Sequence, residues 1–171
     1  MQKTFIKNLE FENFKAFKNA NIQFCEGLNV INGPNGSGKS CILDGINFIF
    51  GNIENDLHLF YSDSLNLKVK IIFDNDNSIE KTLEKDLSNN IKTAYYFNGE
   101  SVSKDKISES LKGLNLTIID NCGCDLSKIE LTKYAKELKS KSKLEQVIVV
   151  SFQEEIISVA DKLLDVINND K

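Results

Sequence analysis

A chain of 171 residues, 41% hydrophobic and 27% charged, can bury a full core without disulfide staples, so a single domain spanning residues 1–171 is expected. Its net charge of −4 argues against tight nucleic-acid binding by this domain alone, leaving direct contact weak or absent. All 21 basic residues are lysine, so the chain cannot supply the arginine clamp with which many phosphoryl-transfer enzymes hold the transferring group.

The first stretch, Gln2 to Gly51, reads as strand, turn, strand, glycine loop and helix. Met1 to Asn8 carries no apolar leader, and the longest apolar runs are strand-length, so an intracellular, soluble protein without a membrane partner is expected. Phe5, Leu9 and Phe11 mark an extended segment, and Ile22-Gln23-Phe24 alternates like a half-buried strand. Leu28-Asn29-Val30-Ile31 is a short apolar strand. It runs into Gly33-Pro34-Asn35-Gly36-Ser37-Gly38-Lys39-Ser40, which fits the phosphate-loop pattern G-x-x-x-x-G-K-[ST]. A helix follows, with Ile42, Leu43, Ile46, Ile49 and Phe50 on one face.

Strand, glycine loop and helix in that order build an anion site. The glycines let backbone N–H groups curl around phosphate oxygens, and the helix N-terminus adds partial positive charge. Lys39 would reach the β- and γ-phosphates, and the Ser40 hydroxyl would ligate Mg²⁺. The expected binding set is Asn32, Gly33, Pro34, Asn35, Gly36, Ser37, Gly38, Lys39, Ser40 and Cys41. Lys15 and Phe17 are candidates for contacts near the base, Phe17 equally for core packing.

The second stretch, Asp56 to Gly113, reads as an antiparallel meander. Leu65 to Phe73 alternates apolar and polar residues, Asp74-Asn75-Asp76-Asn77 is a turn, and Ile79 to Leu87 and Lys92 to Phe97 continue as strands. Asn98-Gly99 is a hairpin signal. Ser103 opens a short helix that Gly113 ends. The third stretch, Leu114 to Lys171, reads strand, helix, strand, helix, strand. Leu131, Tyr134, Ala135 and Leu138 share a helix face, and Val147 to Val150 is the apolar run of a buried parallel strand. The fold expected is α/β, a phosphate-loop NTPase core sheet with an antiparallel β lobe. In it residues 28–31 and 116–119 are neighbours.

Phosphate-loop chemistry needs an acidic residue at the end of a buried strand to hold the Mg²⁺ hydration shell. Asp120, after Leu116-Thr117-Ile118-Ile119, is the candidate; a plain turn is the alternative. Cys25, Cys41, Cys122 and Cys124 match no zinc spacing and read as reduced thiols. The single His58 supports no metal or catalytic site.

On these residues the chain resembles the head domain of the structural maintenance of chromosomes (SMC) family and its RecF/RecN-like relatives, within the ABC class of ATPases. The resemblance is carried by Phe11 to Phe17, Gly33 to Gly51, Lys68 to Asn75 and Tyr95 to Ser103. More weakly, it is carried by Ile118 to Asn121, Gln146 to Phe152 and Ala160 to Val166. It divides the chain into an N-lobe, residues 1–113, and a degenerate C-lobe, residues 114–171. It implies ATP with Mg²⁺, adenine over guanine, and a nuclear or nucleoid setting.

The departures are equally specific. Gly113 leads directly toward Asp120, with no coiled coil and no Leu-Ser-Gly-Gly-type signature loop. The family's catalytic glutamate position holds Asn121, its switch histidine position holds Phe152, and a loop aspartate is replaced by Ser127. Asparagine can orient a water but cannot accept its proton. The expectation is therefore an ATP-binding, hydrolysis-poor head. It would partner another SMC-like or ABC-type head, or a regulatory protein, in a chromosome- or DNA-maintenance assembly. The alternatives are an active ATPase or phosphotransferase completed by a partner, and a fragment with no distinct role.

Overall fold

The computed structural model describes residues 4–166, which form two compact units interleaved along the chain. Gln2, Lys3 and residues 167–171, the ends of the first and third predicted stretches, lie outside the described residues.

The first unit takes in Phe24–Leu43 and the residues from Leu114 onward. Its parallel sheet contains β3 (Leu28–Asn32), β8 (Leu116–Ile119), β9 (Gln146–Val150) and β10 (Lys162–Asp165), in the order β10-β3-β9-β8. The two central strands are buried almost throughout: the apolar run Val147 to Val150 requires it, and in β3 the buried Asn29 side chain donates to the Cys25 carbonyl at 2.9 Å. Helix α3 (Lys128–Lys141) lays Leu131, Ala135 and Leu138 into a core with Leu28, Val30, Val147, Val149 and Ile156. Its start is fixed by the Ser127 N–H, which donates to the Glu130 carboxylate at 2.9 Å. The short helix α4 (Glu154–Ile157) contributes Ile156.

This order corrects one expectation. Strands β3 and β8 are not neighbours, because β9 lies between them, pairing Ile31 with Val150 on one side and Val149 with Ile119 on the other. The physical reason is burial. Val147 to Val150 needs cover on both faces and both edges, whereas β8 is half-buried and tolerates the sheet edge.

The second unit takes in Ile6–Gln23 and Asp44–Gly113. Its antiparallel sheet contains β1 (Ile6–Phe14), β2 (Phe17–Gln23), β4 (Asn66–Phe73), β5 (Ser78–Lys85), β6 (Ile91–Phe97) and β7 (Glu100–Val102). Their order is β2-β1-β4-β5-β6-β7. Leu67, Val69, Ile71 and Phe73 point inward along β4, while Lys68 and Lys70 alternate with them on the other face. The β6–β7 turn has φ 50° at Asn98 and 84° at Gly99, the left-handed pair that a two-residue hairpin of this kind demands. Strand β5 stops at Lys85, two residues before the predicted end, because the Asp86 carboxylate accepts the N–H groups of Ser88 and Asn90 and closes a turn. Phe24, predicted to extend β2, belongs to the first unit. Ser103 caps α2 (Lys104–Ser110) through the Lys106 N–H.

Helix α1 (Lys39–Phe50) begins in the first unit, and its residues from Asp44 onward belong to the second. There Phe48 packs against Phe14, with ring centroids 5.5 Å apart. Gly45 lets the helix close on β1: a Cβ at this position would come within 2.2 Å of the Phe11 ring, itself stacked on Phe14 and Phe17. Gly45→Ala is expected to overpack this contact and cost about 1–3 kcal/mol, read as a lower urea midpoint at unchanged slope. An unchanged midpoint would mean that the Phe11 ring swings aside freely.

Candidate nucleotide phosphate site

The loop between β3 and α1 is shaped by three glycines with positive φ: 150° at Gly33, 79° at Gly36 and 96° at Gly38. At Gly33 space is limiting as well, since a Cβ would meet the Val166 carbonyl oxygen at 2.5 Å and Ser37 Oγ at 3.0 Å. The Ser37 N–H donates to the Pro34 carbonyl at 3.2 Å, closing a turn inside the loop. Lys39 Nζ donates to the Gly33 and Pro34 carbonyls, each at 2.8 Å, so its charge is held at the loop itself.

Asp120 follows β8, and its side chain is fixed at both oxygens. Oδ1 accepts the Asn121 N–H at 2.9 Å, and Oδ2 accepts the Ser40 hydroxyl at 3.1 Å. Two residues 80 positions apart in sequence thus present a hydroxyl and a carboxylate to one point at the start of α1. A cleft of about 380 Å³ opens there, lined by Gly36, Gly38, Lys39, Ser40, Cys41 and Asn121, with Asn35 and the end of β9 at Val150.

The donor set fits a nucleotide phosphate with a divalent cation. Ser37 Oγ is buried, with the residue 2% exposed, and has no hydrogen-bond partner among the described residues. A buried hydroxyl without a partner is costly, and a phosphate oxygen brought into this loop is the acceptor it lacks. A hydroxyl plus a carboxylate is the hard oxygen set that Mg²⁺ takes, its remaining positions going to water and phosphate.

The other predicted residues are placed differently. Asn32 donates through its side chain to Asp165 at 3.2 Å and so ties β3 to β10. Pro34 is exposed, and its carbonyl holds Lys39. Lys15 and Phe17 belong to the second unit, where Lys15 pairs with Asp44 at 2.6 Å and Phe17 stacks on Phe11 with centroids 5.2 Å apart. Asn121 has φ 48°, a left-handed conformation that asparagine tolerates. Phe152 is 63% exposed and offers no hydrogen-bonding atom beyond its backbone.

Residue-by-residue reading missed the scaffold around the cleft. Ser151 Oγ donates to the Cys122 carbonyl and Cys122 N–H to the Val150 carbonyl, both at 2.8 Å, which pins the segment after β8 to the end of β9. The available signal was a small polar residue directly after four buried apolar ones.

Residues 5–118 match the model of the RecF/RecN/SMC N terminal domain. The chain belongs to this family. The chromosome partition protein Smc of Thermoplasma acidophilum is 32% identical over 126 residues, covering 66% of this chain and 11% of that protein. The structural maintenance of chromosomes protein 3 homolog of Plasmodium falciparum is 33% identical over 126 residues, covering 67% and 11%. The chain thus spans only about a tenth of the length of these relatives. An SMC head domain from Thermotoga maritima superposes with a TM-score of 0.77 at 17% identity, covering 94% of each chain. An Smc head bound to the C-winged helix domain of ScpA gives 0.80 at 15%, covering 94% of this chain and 93% of that one. RecF with ATP gives 0.54 at 22%, covering 78% and 38%. The fold is therefore that of an SMC head, a phosphate-loop ATPase architecture. The family match ends at residue 118, so Asp120, Asn121 and Phe152 lie beyond it.

Proposed function

We propose that this chain binds ATP with Mg²⁺ on Gly33 to Ser40 and hydrolyses it slowly or not at all. It acts as a structural or regulatory partner of another SMC-like or ABC-type head, or of a regulatory protein, in a chromosome- or DNA-maintenance assembly of the nucleoid or nucleus. The observation that carries the reading is the convergence of Ser40 Oγ and Asp120 Oδ2, 3.1 Å apart, beside a glycine loop whose buried Ser37 hydroxyl has no partner among the described residues.

In this reading the loop amides and Lys39 bind the phosphates, while Ser40 and Asp120 hold the cation. A bound Mg²⁺ would neutralise charge on the phosphate oxygens. Asn121 borders the cleft and can orient a water, yet its amide takes no proton. The preference for ATP is supported by family membership and by the RecF fold neighbour. The partner class is supported by the Smc head fold neighbour, which binds a winged-helix domain.

Calorimetry on the purified chain tests the binding. Saturable 1:1 heat is expected with ATP and Mg²⁺, weaker with GTP, and reduced when a chelator removes the metal. No saturation by about 1 mM ATP, the limit of weak specific binding, would overturn the proposal.

A further inference from the structure

Lys81 stands where the second unit should have an apolar side chain. It lies on the inward register of β5 between Ile79 and Leu83, and it is 2% exposed. Its amine donates to the Phe48 carbonyl at 3.0 Å, near the C-terminus of α1, and sits 3.8 Å from the centroid of the Phe48 ring. No carboxylate pairs with it among the described residues. A lysine is seldom buried without such a partner, because the desolvated charge is costly. An ammonium has three donors, and the Phe48 carbonyl accepts one.

What Lys81 does border is a cavity of about 380 Å³, shared with Lys104, Tyr95, Asn52, Asn55 and Glu54. Two lysines thus converge on one space that, among the described residues, contains a single, exposed carboxylate, that of Glu54, together with two amides and a phenol. All of these residues belong to the second unit, and none of them lines the cleft at the phosphate loop.

We infer that this cavity is a second anion site, taking the phosphate or carboxylate group of a small ligand between Lys81 and Lys104. The oxyanion would accept from the Lys81 ammonium beside the Phe48 carbonyl and would offset the repulsion between the two lysines. Burial, and secondarily the charge of Lys104, pushes Lys81 down to about 8. It is therefore charged at neutral pH and loses its proton as the pH rises through 8. The groups facing it are Lys104 from α2, Tyr95 from β6, the Phe48 carbonyl from α1 and Glu54 from the segment after α1. Tyr95 is shifted upward by burial and stays neutral across this range.

Residue-resolved NMR titration of the whole chain tests the site, with inorganic phosphate in one arm and glutarate in the other. Saturable shifts at Asn52 and Asn55 in either arm support it, and the tighter arm identifies the ligand class. Lys81→Met and Lys104→Gln should each weaken binding about tenfold, the usual effect of losing one charge-assisted bond. Lys104 is exposed, so its variant leaves the fold intact. Glutarate is fully ionised throughout, and its affinity should fall about tenfold between pH 7 and pH 9, following the protonated fraction of Lys81. The site is refuted if shifts appear only in the glycine loop, if both variants bind as the wild type does, or if glutarate affinity is the same at pH 7 and pH 9.

Discussion

Lys39→Ala should weaken ATP binding by about 2–4 kcal/mol, roughly 30- to 1,000-fold, while the protein stays folded. Lys39 Nζ is anchored to the carbonyls of Gly33 and Pro34, so its charge is already positioned within the loop and little side-chain freedom is left to lose on binding. Removing it takes away the one basic side chain bordering the cleft among the described residues, while leaving the loop amides in place. The amides alone account for residual binding, because they recognise phosphate without net charge. The side chain is not part of the core formed by Leu28, Val30, Val147 and Val149, so the melting temperature should change little. Calorimetry on both proteins decides the matter. Equal affinities would remove Lys39 from the site, and a collapsed melting curve would make the residue structural instead.

How far this site was legible follows from which contacts are local. The glycine loop could be read because strand, loop and helix are contiguous, and positive φ at Gly33, Gly36 and Gly38 leaves a mark in residue type. Asn98-Gly99 was legible for the same reason. In the third stretch the spacing of Leu131, Tyr134, Ala135 and Leu138 marked a helix, the run Val147 to Val150 marked a buried strand, and the resemblance of Ala160 to Val166 pointed to the last strand; the structure has the order strand, helix, strand, helix, strand through β10.

Strand order was not legible. Whether β8 lies beside β3 or beyond β9 depends on which strand demands burial on every side, and the comparison of Val147 to Val150 with Leu116 to Ile119 is a tertiary one. The meeting of Ser40 with Asp120 could be anticipated only from chemistry, because 80 residues separate them. Lys81 went unnoticed although its signal was present: in Ile79-Glu80-Lys81-Thr82-Leu83, alternation puts the lysine on the same face as the two apolar residues. A lysine in a β meander reads as solvated until the register is counted.

The isolated chain should hydrolyse ATP far below about 1 s⁻¹, the low end of ordinary enzyme turnover. Asn121 occupies the place beside Asp120 and the cleft, and a side-chain amide cannot accept the proton of an attacking water. A positioned proton acceptor contributes about 10²–10⁴-fold, so in the proposed reading an amide at this place predicts a large deficit. Restoring a carboxylate should nevertheless recover only a small part of it, for two reasons. Groups that act as a unit are not additive, and Phe152 leaves a second position without a polar side chain. The backbone also resists the change. Asn121 sits at φ 48°, where a glutamate loses about 1–2 kcal/mol relative to its preferred conformations and pulls on the N–H that holds Asp120 Oδ1. Asn121→Glu is therefore expected to raise phosphate release well short of 10²-fold and to lower the melting temperature slightly. Wild-type turnover of about 1 s⁻¹ or faster would end the slow-hydrolysis reading and turn attention to Asp125, Glu154 and Glu155 as proton acceptors. Full recovery by Asn121→Glu alone would show that the rest of the catalytic arrangement is intact, and that one side chain separates this head from an active ATPase.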